Sequence, residues 1–319
     1  MKGALAHKVQ QFTQDKIQYL RVITTNMCNM NCTGCHREGQ EQSNSPFSET
    51  LLDAILICLS VGIRKVKFMG GEPTLCNDLD NAIVAIKRMY PDTDISMISN
   101  GTASLDYYNQ LFCSGLDRLN ISVHGWGVDY FLQNTSSNKR LWTRFRYNLL
   151  ALLKEECISK INYVIKKGVN EDDLFQLIND LSYYKNVRID VLNYLMMPNS
   201  NIGEEWQYSL LDVEKLLKNI FGIKAAFERL NKFSLPSREL VLNNGVHINL
   251  KVNQLNSVGY LNACTKCPVK KFCIEGITAV RLSSNNILQP CIFRNDNCFI
   301  IDTNDAKASE KLYEFFLSV

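Results

Sequence analysis

The stretch "TTNMCNMNCTGCHREG" carries Cys28, Cys32 and Cys35 in a C-x3-C-x2-C spacing. A second group, "CTKCPVKKFC", carries Cys264, Cys267 and Cys273, and Cys291 ("LQPCIF") and Cys298 ("DNCF") come after it. Thiols crowded into polar loops suit a metal centre, because several thiolates must converge on one small object. Zinc is the simpler occupant. At the first group, however, three cysteines leave a tetrahedral ion one ligand short, and His36 adjoins Cys35 too closely to complete it comfortably. A [4Fe–4S] cluster held by three thiolates keeps one iron open for a substrate or cofactor. Spacing favours iron–sulfur here without excluding zinc. Cys58, Cys113 and Cys157 lie in helical patterns and read as small packing residues. Cys76, after a Gly-Gly-Glu-Pro turn, reads either way.

Composition narrows the class. The chain has 319 residues, 46% apolar and 21% charged, enough for one large domain or two and ordinary for a globular enzyme. A formal net charge of +3 argues for neither nucleic acid nor an acidic membrane surface as a partner. The opening "MKGALAHKVQQFTQDKIQYL" has no continuous apolar run and no small-residue cleavage site, and no segment is apolar for long enough to cross a bilayer. The expected location is cytoplasmic, where thiols stay reduced. Twelve cysteines then point to metal ligation and burial rather than disulfides.

Six β-rich runs must position these residues: "YLRVITT", "RKVKFMGG", "DISMISNG", "RLNISVHG", "SKINYVIKKG" and "VRIDVLNYLM". Helical patterns alternate with them, among them "SETLLDAILICLSVG", "LDNAIVAIKRMY" and "NEDDLFQLINDLSYY". This alternation predicts an α/β fold with a parallel sheet, open or curled. The strands end in polar or glycine residues: the cysteine loop, Gly70-Gly71-Glu72-Pro73, Asn100-Gly101 and His124-Gly125. Parallel α/β folds gather their active sites at that edge, and glycines there let backbone approach a ligand. Any one of these glycines reads as an ordinary turn. Four polar strand ends beside a cysteine triad read as a site.

C-x3-C-x2-C directly after the first strand, with "GGEP" after the second, resembles the radical S-adenosylmethionine (SAM) superfamily. Over most of its length the chain is similar to the GTP 3′,8-cyclases of molybdenum-cofactor biosynthesis and to related twitch/SPASM enzymes. The stretches "YLRVITTNMCNMNCTGC", "VKFMGGEPTL", "SNGT", "LNISVHG", "KINYVIKKGVNEDD" and "VRLSSNNILQPCIF" have counterparts there in the same order. The resemblance implies a partial (β/α)6 TIM-like barrel over residues 1–220. A C-terminal auxiliary-cluster domain, residues 221–319, would fold over its open side.

The resemblance also implies two [4Fe–4S] clusters and SAM. Cys28, Cys32 and Cys35 would hold the first cluster, whose open iron chelates SAM. Reductive cleavage then yields a 5′-deoxyadenosyl radical that takes hydrogen from substrate. Gly70, Gly71 and Glu72 would meet the methionine amino group. Ser99, Asn100 and Ser122 would meet its carboxylate and the ribose, and Met197 the adenine. Cys264, Cys267, Cys273 and Cys291 would hold the auxiliary cluster around a β-hairpin turning at Asn285-Asn286. The cyclases use three cysteines there. Four thiolates would close the cluster, as in the twitch and SPASM subfamilies, and suit it to electron transfer.

Arg21 and Arg281 stand where the cyclases have arginines facing the substrate cavity; with Lys160 they suit a phosphate or carboxylate. The ending "YEFFLSV" lacks the cyclases' Gly-Gly dipeptide, and the residues before Tyr19 are too few for a peptide-binding domain. The expectation is therefore a radical SAM enzyme other than that cyclase. It would act on an anionic small molecule or short peptide by oxidation, cross-linking, rearrangement or epimerisation. Its electron donor would be of the flavodoxin or ferredoxin kind, and neither nucleic acid nor membrane would be a partner. The alternative is a zinc-stabilised, non-catalytic binding protein on a degenerate scaffold.

Overall fold

The computed structural model describes residues 19–35, 48–194, 204–229, 237–251, 279–291 and 298–318. The six expected strands form: β1 (Tyr19–Ile23), β2 (Lys65–Met69), β3 (Asp94–Ser99), β4 (Arg118–Val123), β5 (Ile158–Ile165) and β6 (Arg188–Asn193). Each lies parallel to the next. Parallel neighbours need long crossovers. These include α1 (Glu49–Ser60), α2 (Leu79–Met89), α3 (Leu105–Cys113), α4 (Val128–Thr135), α5 (Lys139–Lys154) and α6 (Glu171–Leu181). Side-chain caps start three of them: Ser48, Ser104 and Asn138 accept the N–H groups of Leu51, Tyr107 and Leu141.

Alternation along each strand sorts the sheet into two faces. Leu20, Val22, Phe68, Ile121 and Ile189 join Leu51, Ile55, Leu149 and Leu177 of the helices in one buried core. The alternate positions, among them Arg21, Lys67, Asn120, Lys160 and Asp190, face the interior of the partial barrel. Cys58 is buried in the core, and Cys157 is partly buried against it, as packing predicts. Cys113 differs. It is exposed, because it ends α3, whose buried side is Tyr108 and Leu111.

The C-terminal part continues this sheet. Helix α7 (Leu210–Phe221) leads into the antiparallel β7 (Ile223–Arg229), β8 (Ser237–Leu242) and β9 (His247–Lys251). The rest comprises β10 (Ala279–Leu282), β11 (Ile287–Gln289), β12 (Phe299–Ile300) and α8 (Ala308–Ser318). β9 pairs parallel with β6, and β10 parallel with β1. The described strands thus make one sheet in the order β12-β11-β10-β1-β2-β3-β4-β5-β6-β9-β8-β7. The expected hairpin is β10–β11. Asn286 turns it in the left-handed region at φ +59°, and Ser283 Oγ accepts the N–H groups of Asn285 and Ile287. No described helix is long and apolar enough to cross a membrane.

Candidate active site

The cysteine loop after β1 is clamped from several sides. Gly71 N–H donates to Thr25 O (2.6 Å) and Glu72 N–H to Met27 O (2.8 Å), so the glycine turn after β2 pairs with the loop like a short strand. A Cβ on Gly70 would lie 2.4 Å from Thr25 O, and one on Gly71 would lie 2.1 Å from Met27 O. Loop backbone passing against them leaves no room for a Cβ at either glycine. Past β3, Asn100 Nδ2 donates to Asn29 Oδ1 (2.8 Å), and Asn29 Nδ2 donates to Thr102 Oγ1 (2.8 Å). From the far side, Asn31 N–H and Thr33 N–H donate to the last carbonyls of α4, Thr135 O (2.8 Å) and Asn134 O (2.7 Å). A helix C-terminus has carbonyls to offer. Lys166, just past β5, reaches Thr33 O (3.3 Å).

Glu72 is the buried tie between strand ends. One carboxylate oxygen accepts Thr74 Oγ1 (2.7 Å), Thr74 N–H (3.2 Å) and Ser99 Oγ (2.8 Å); the other accepts Asn100 N–H (2.7 Å). Burial pushes its carboxyl pKa up, and these bonds pull against that shift. A carboxylate has about four lone-pair sites, so protein donors largely fill this one. Ser99 is buried as well, bonded to Glu72 and Tyr108. Among the described residues, the carbonyls of Gly70 and Gly71 accept no backbone hydrogen bond. Ser122 is half-buried on β4 beside Asn162 of β5.

The three thiols suit a thiolate-bound group. Burial raises the Cys28 pKa, although the residue is exposed by surface area. The two observations describe different things: surface area governs access, and crowding around the sulfur governs its proton. Burial pushes Cys32 up to about 12, with repulsion from Cys35 and Cys28 adding to the rise. Iron binding must therefore release protons from this loop. Among the described residues no three ligating side chains surround a single metal ion. A cubane's thiolates bind separate irons and need no such common centre. The donor set fits a [4Fe–4S] cluster. Cys76 lies behind the loop, buried, with its Sγ 3.5 Å from Thr24 O. Met197, Cys264, Cys267 and Cys273 lie outside the described residues; Cys291 comes after β11 and is partly exposed.

Residues 22–181 match the radical SAM superfamily. The chain belongs to that superfamily. It is 28% identical over 286 residues to a probable GTP 3′,8-cyclase of Methanocella arvoryzae, covering 88% of this chain and 83% of the relative. It is 30% identical over 285 residues to the GTP 3′,8-cyclase of Clostridium botulinum, covering 87% and 82%. Among solved structures, Streptococcus suis SuiB bound to S-adenosylmethionine matches 94% of this chain with a TM-score of 0.62 at 16% identity; this chain spans 66% of SuiB. Histidine-tagged anSMEcpe with bound AdoMet matches 95% of this chain and 78% of its own at TM-score 0.62 and 14% identity. At such identities the structural likeness speaks for the fold: a radical SAM partial barrel. The protein is thus a radical SAM enzyme, a class that uses a [4Fe–4S] cluster and SAM. The non-catalytic alternative is set aside.

The interior of this radical SAM enzyme is cationic along β10, β1 and β2. Arg21 lies opposite Arg281 of β10 on one side and Lys67 of β2 on the other. Arg281 is buried. Arg21 and Lys67 both lean on the Tyr19 ring, at 5.4 and 4.7 Å from its centroid. Burial lowers Lys67 to about 8, and Arg21 and Lys160 add to the drop. Across the barrel, buried Asp190 accepts Lys160 Nζ (2.5 Å) and Asn249 Nδ2 (3.0 Å). Burial alone would raise Asp190; Lys160 and Lys251 outweigh it and hold the carboxyl below its usual range. Motif and spacing do not single out Lys67, Lys166, Asp190 or Asn249. Inward alternation on β2, β6 and β9 is the available signal for Lys67, Asp190 and Asn249.

Proposed function

We propose that this radical SAM enzyme takes a hydrogen atom from a small anionic substrate held against the interior cations. The superfamily acts on small molecules and on peptides. The adjacent inward-facing Arg281, Arg21 and Lys67 carry the choice of an anion. Guanidinium and ammonium groups on three neighbouring strands present several N–H donors to one space, which suits the oxygens of a phosphate or carboxylate. Asn249 adds a second feature. Its Nδ2 must face the Asp190 carboxylate, which only accepts, so its Oδ1 faces away, buried and without a hydrogen-bond partner among the described residues. That oxygen suits an N–H or O–H on the substrate.

When bound, the cluster and SAM supply the hydrogen-abstracting radical. The chain's own residues orient and enclose. Cys28, Cys32 and Cys35 would hold the cluster. The carbonyls of Gly70 and Gly71 would accept from the methionine amino group, while Glu72 fixes their turn. Asn100 and Ser122 would serve the carboxylate and ribose, and Met197 the adenine. Ser99 would act behind them through Glu72. Cys264, Cys267, Cys273 and Cys291 would hold an auxiliary cluster that takes an electron from the substrate radical. A flavodoxin or ferredoxin would supply the electron for SAM cleavage.

GTP is the first substrate to test, because the curated relatives are named GTP 3′,8-cyclases. The reconstituted protein would be titrated with GTP and with tripolyphosphate by calorimetry, then assayed for 5′-deoxyadenosine with SAM and dithionite. Binding of either polyanion, weakened about tenfold by Arg281→Gln, is expected from loss of a charge-assisted contact. No binding of either, or binding indifferent to Arg281, would remove the anionic reading. Faster deoxyadenosine release with GTP would make it the substrate. Iron near eight per chain would support two clusters, and iron near four would leave only the first.

A further inference from the structure

Lys166 directly follows β5, and its side chain is buried. Its Nζ donates to Asn134 Oδ1 (2.9 Å) and Thr33 O (3.3 Å). It also lies over the rings of Trp206 (5.0 Å) and Tyr194 (5.7 Å). All four neighbours suit a cation: two carbonyl oxygens and two π faces. None carries a charge. Among the described residues no carboxylate forms an ion pair with Lys166; burial lowers its pKa, and the Cys32 sulfur opposes that shift. A buried charge is costly unless something pairs with it.

The surrounding wall is tight against the loop. A Cβ on Gly34, between Cys32 and Cys35, would lie 2.2 Å from the Tyr194 ring. His124, just past the end of β4, is held near pKa 4 by burial and by Lys166, so it adds no second cation at neutral pH.

We propose that Lys166 is the counter-charge of the iron–sulfur cluster at Cys28, Cys32 and Cys35. Its ammonium offsets the negative charge that three thiolates bring and raises the cluster's reduction potential. Its bond to Thr33 O fixes the loop between the second and third ligands. Lys166 is a positioning residue here, acting through the cluster. The inference rests on superfamily membership and not on the anionic substrate.

The test is a dithionite titration of the full chain, reconstituted anaerobically, without SAM or substrate, followed by electron paramagnetic resonance. One electron passes from dithionite to the cluster, and no bond forms or breaks. The signal lost in Cys32→Ala identifies the cluster in question. Lys166→Met should make reduction about tenfold less favourable, a potential lower by about 59 mV for one electron. Lys166→Arg should restore it to within about twofold, since the charge returns. Asn134→Asp, which sets a carboxylate beside Nζ, should make reduction severalfold less favourable, a lower potential. It also decides the matter if Lys166→Met retains no iron. Unchanged potentials in the iron-loaded variants would overturn the proposal. So would an equal shift in Lys166→Arg, which would point to packing. A shift seen only after SAM is added would mean that the ammonium pairs with the SAM carboxylate instead.

Discussion

Glu72 shows how one side chain can tie several strand ends into a site. Its carboxylate gathers donors from Thr74, Ser99 and Asn100, while its N–H holds Met27 O of the cysteine loop. Glu72→Gln turns an acceptor-only group into one that presents N–H groups to donors. We expect about 1–3 kcal/mol of lost stability from the stranded partners, read by thermal melting. SAM affinity should fall more than Thr74→Val lowers it, because Thr74 supplies only part of the set. Lys67 gives a pH prediction. Its folded pKa near 8 lies below the unfolded value of about 10.5. The unfolded chain therefore binds more protons between those values, and the free protein gains stability as pH rises through that window. Anion binding runs the opposite way: affinity for tripolyphosphate should weaken as pH climbs past about 8, and Lys67→Met should remove that inflection. The cysteines and Glu72 are legible in the sequence because their spacing is local. Lys166 is not, since its significance comes from Asn134, Thr33 and Trp206, which only the fold brings to it.

At the scale of elements, strands and helices are legible because alternation and caps are written in adjacent residues. The six strands appear where β-rich runs predict them, and Ser48 caps α1. The purpose of Gly70 and Gly71 is not legible in the same way, since the sequence suggests room for a ligand. The structure adds a second reason, the close passage of the cysteine loop, an encounter between two strand ends far apart in sequence. This makes Gly71→Ala a sharp test. Its Cβ would meet Met27 O, a backbone atom that cannot swing aside without breaking the bond from Glu72 N–H. Iron retained per chain after reconstitution should drop severalfold. Gly168→Ala is the control: nothing lies within 4 Å of its Cβ, and only its left-handed φ of +70° is strained, at roughly 1–2 kcal/mol. Equal iron in both variants would mean that the turn does not shape the loop.

Over the whole molecule, the sheet does not stop where the sequence divides. A boundary near residue 220 separates the α/β alternation from the C-terminal strands, yet β9 joins the β6 edge and β10 joins the β1 edge. Both additions are parallel, so these described strands extend the barrel wall, and they bring Asn249 and Arg281 to the interior. Alternation could not reveal this, because pairing between β6 and β9 spans long connections that local pattern does not encode. A fragment of residues 1–220 would expose two unpaired strand edges with their N–H and C=O groups, a known route to aggregation. It would also lose Val280, Leu282, Ile248 and Leu250 from the core. We expect it to lack a cooperative melt by circular dichroism and to hold little iron. Co-expression with 221–319 should restore both, because the two pieces would re-pair along β1–β10 and β6–β9. A fragment 1–220 that melts cooperatively and binds one cluster alone would show instead that the barrel folds first and recruits its outer strands afterwards.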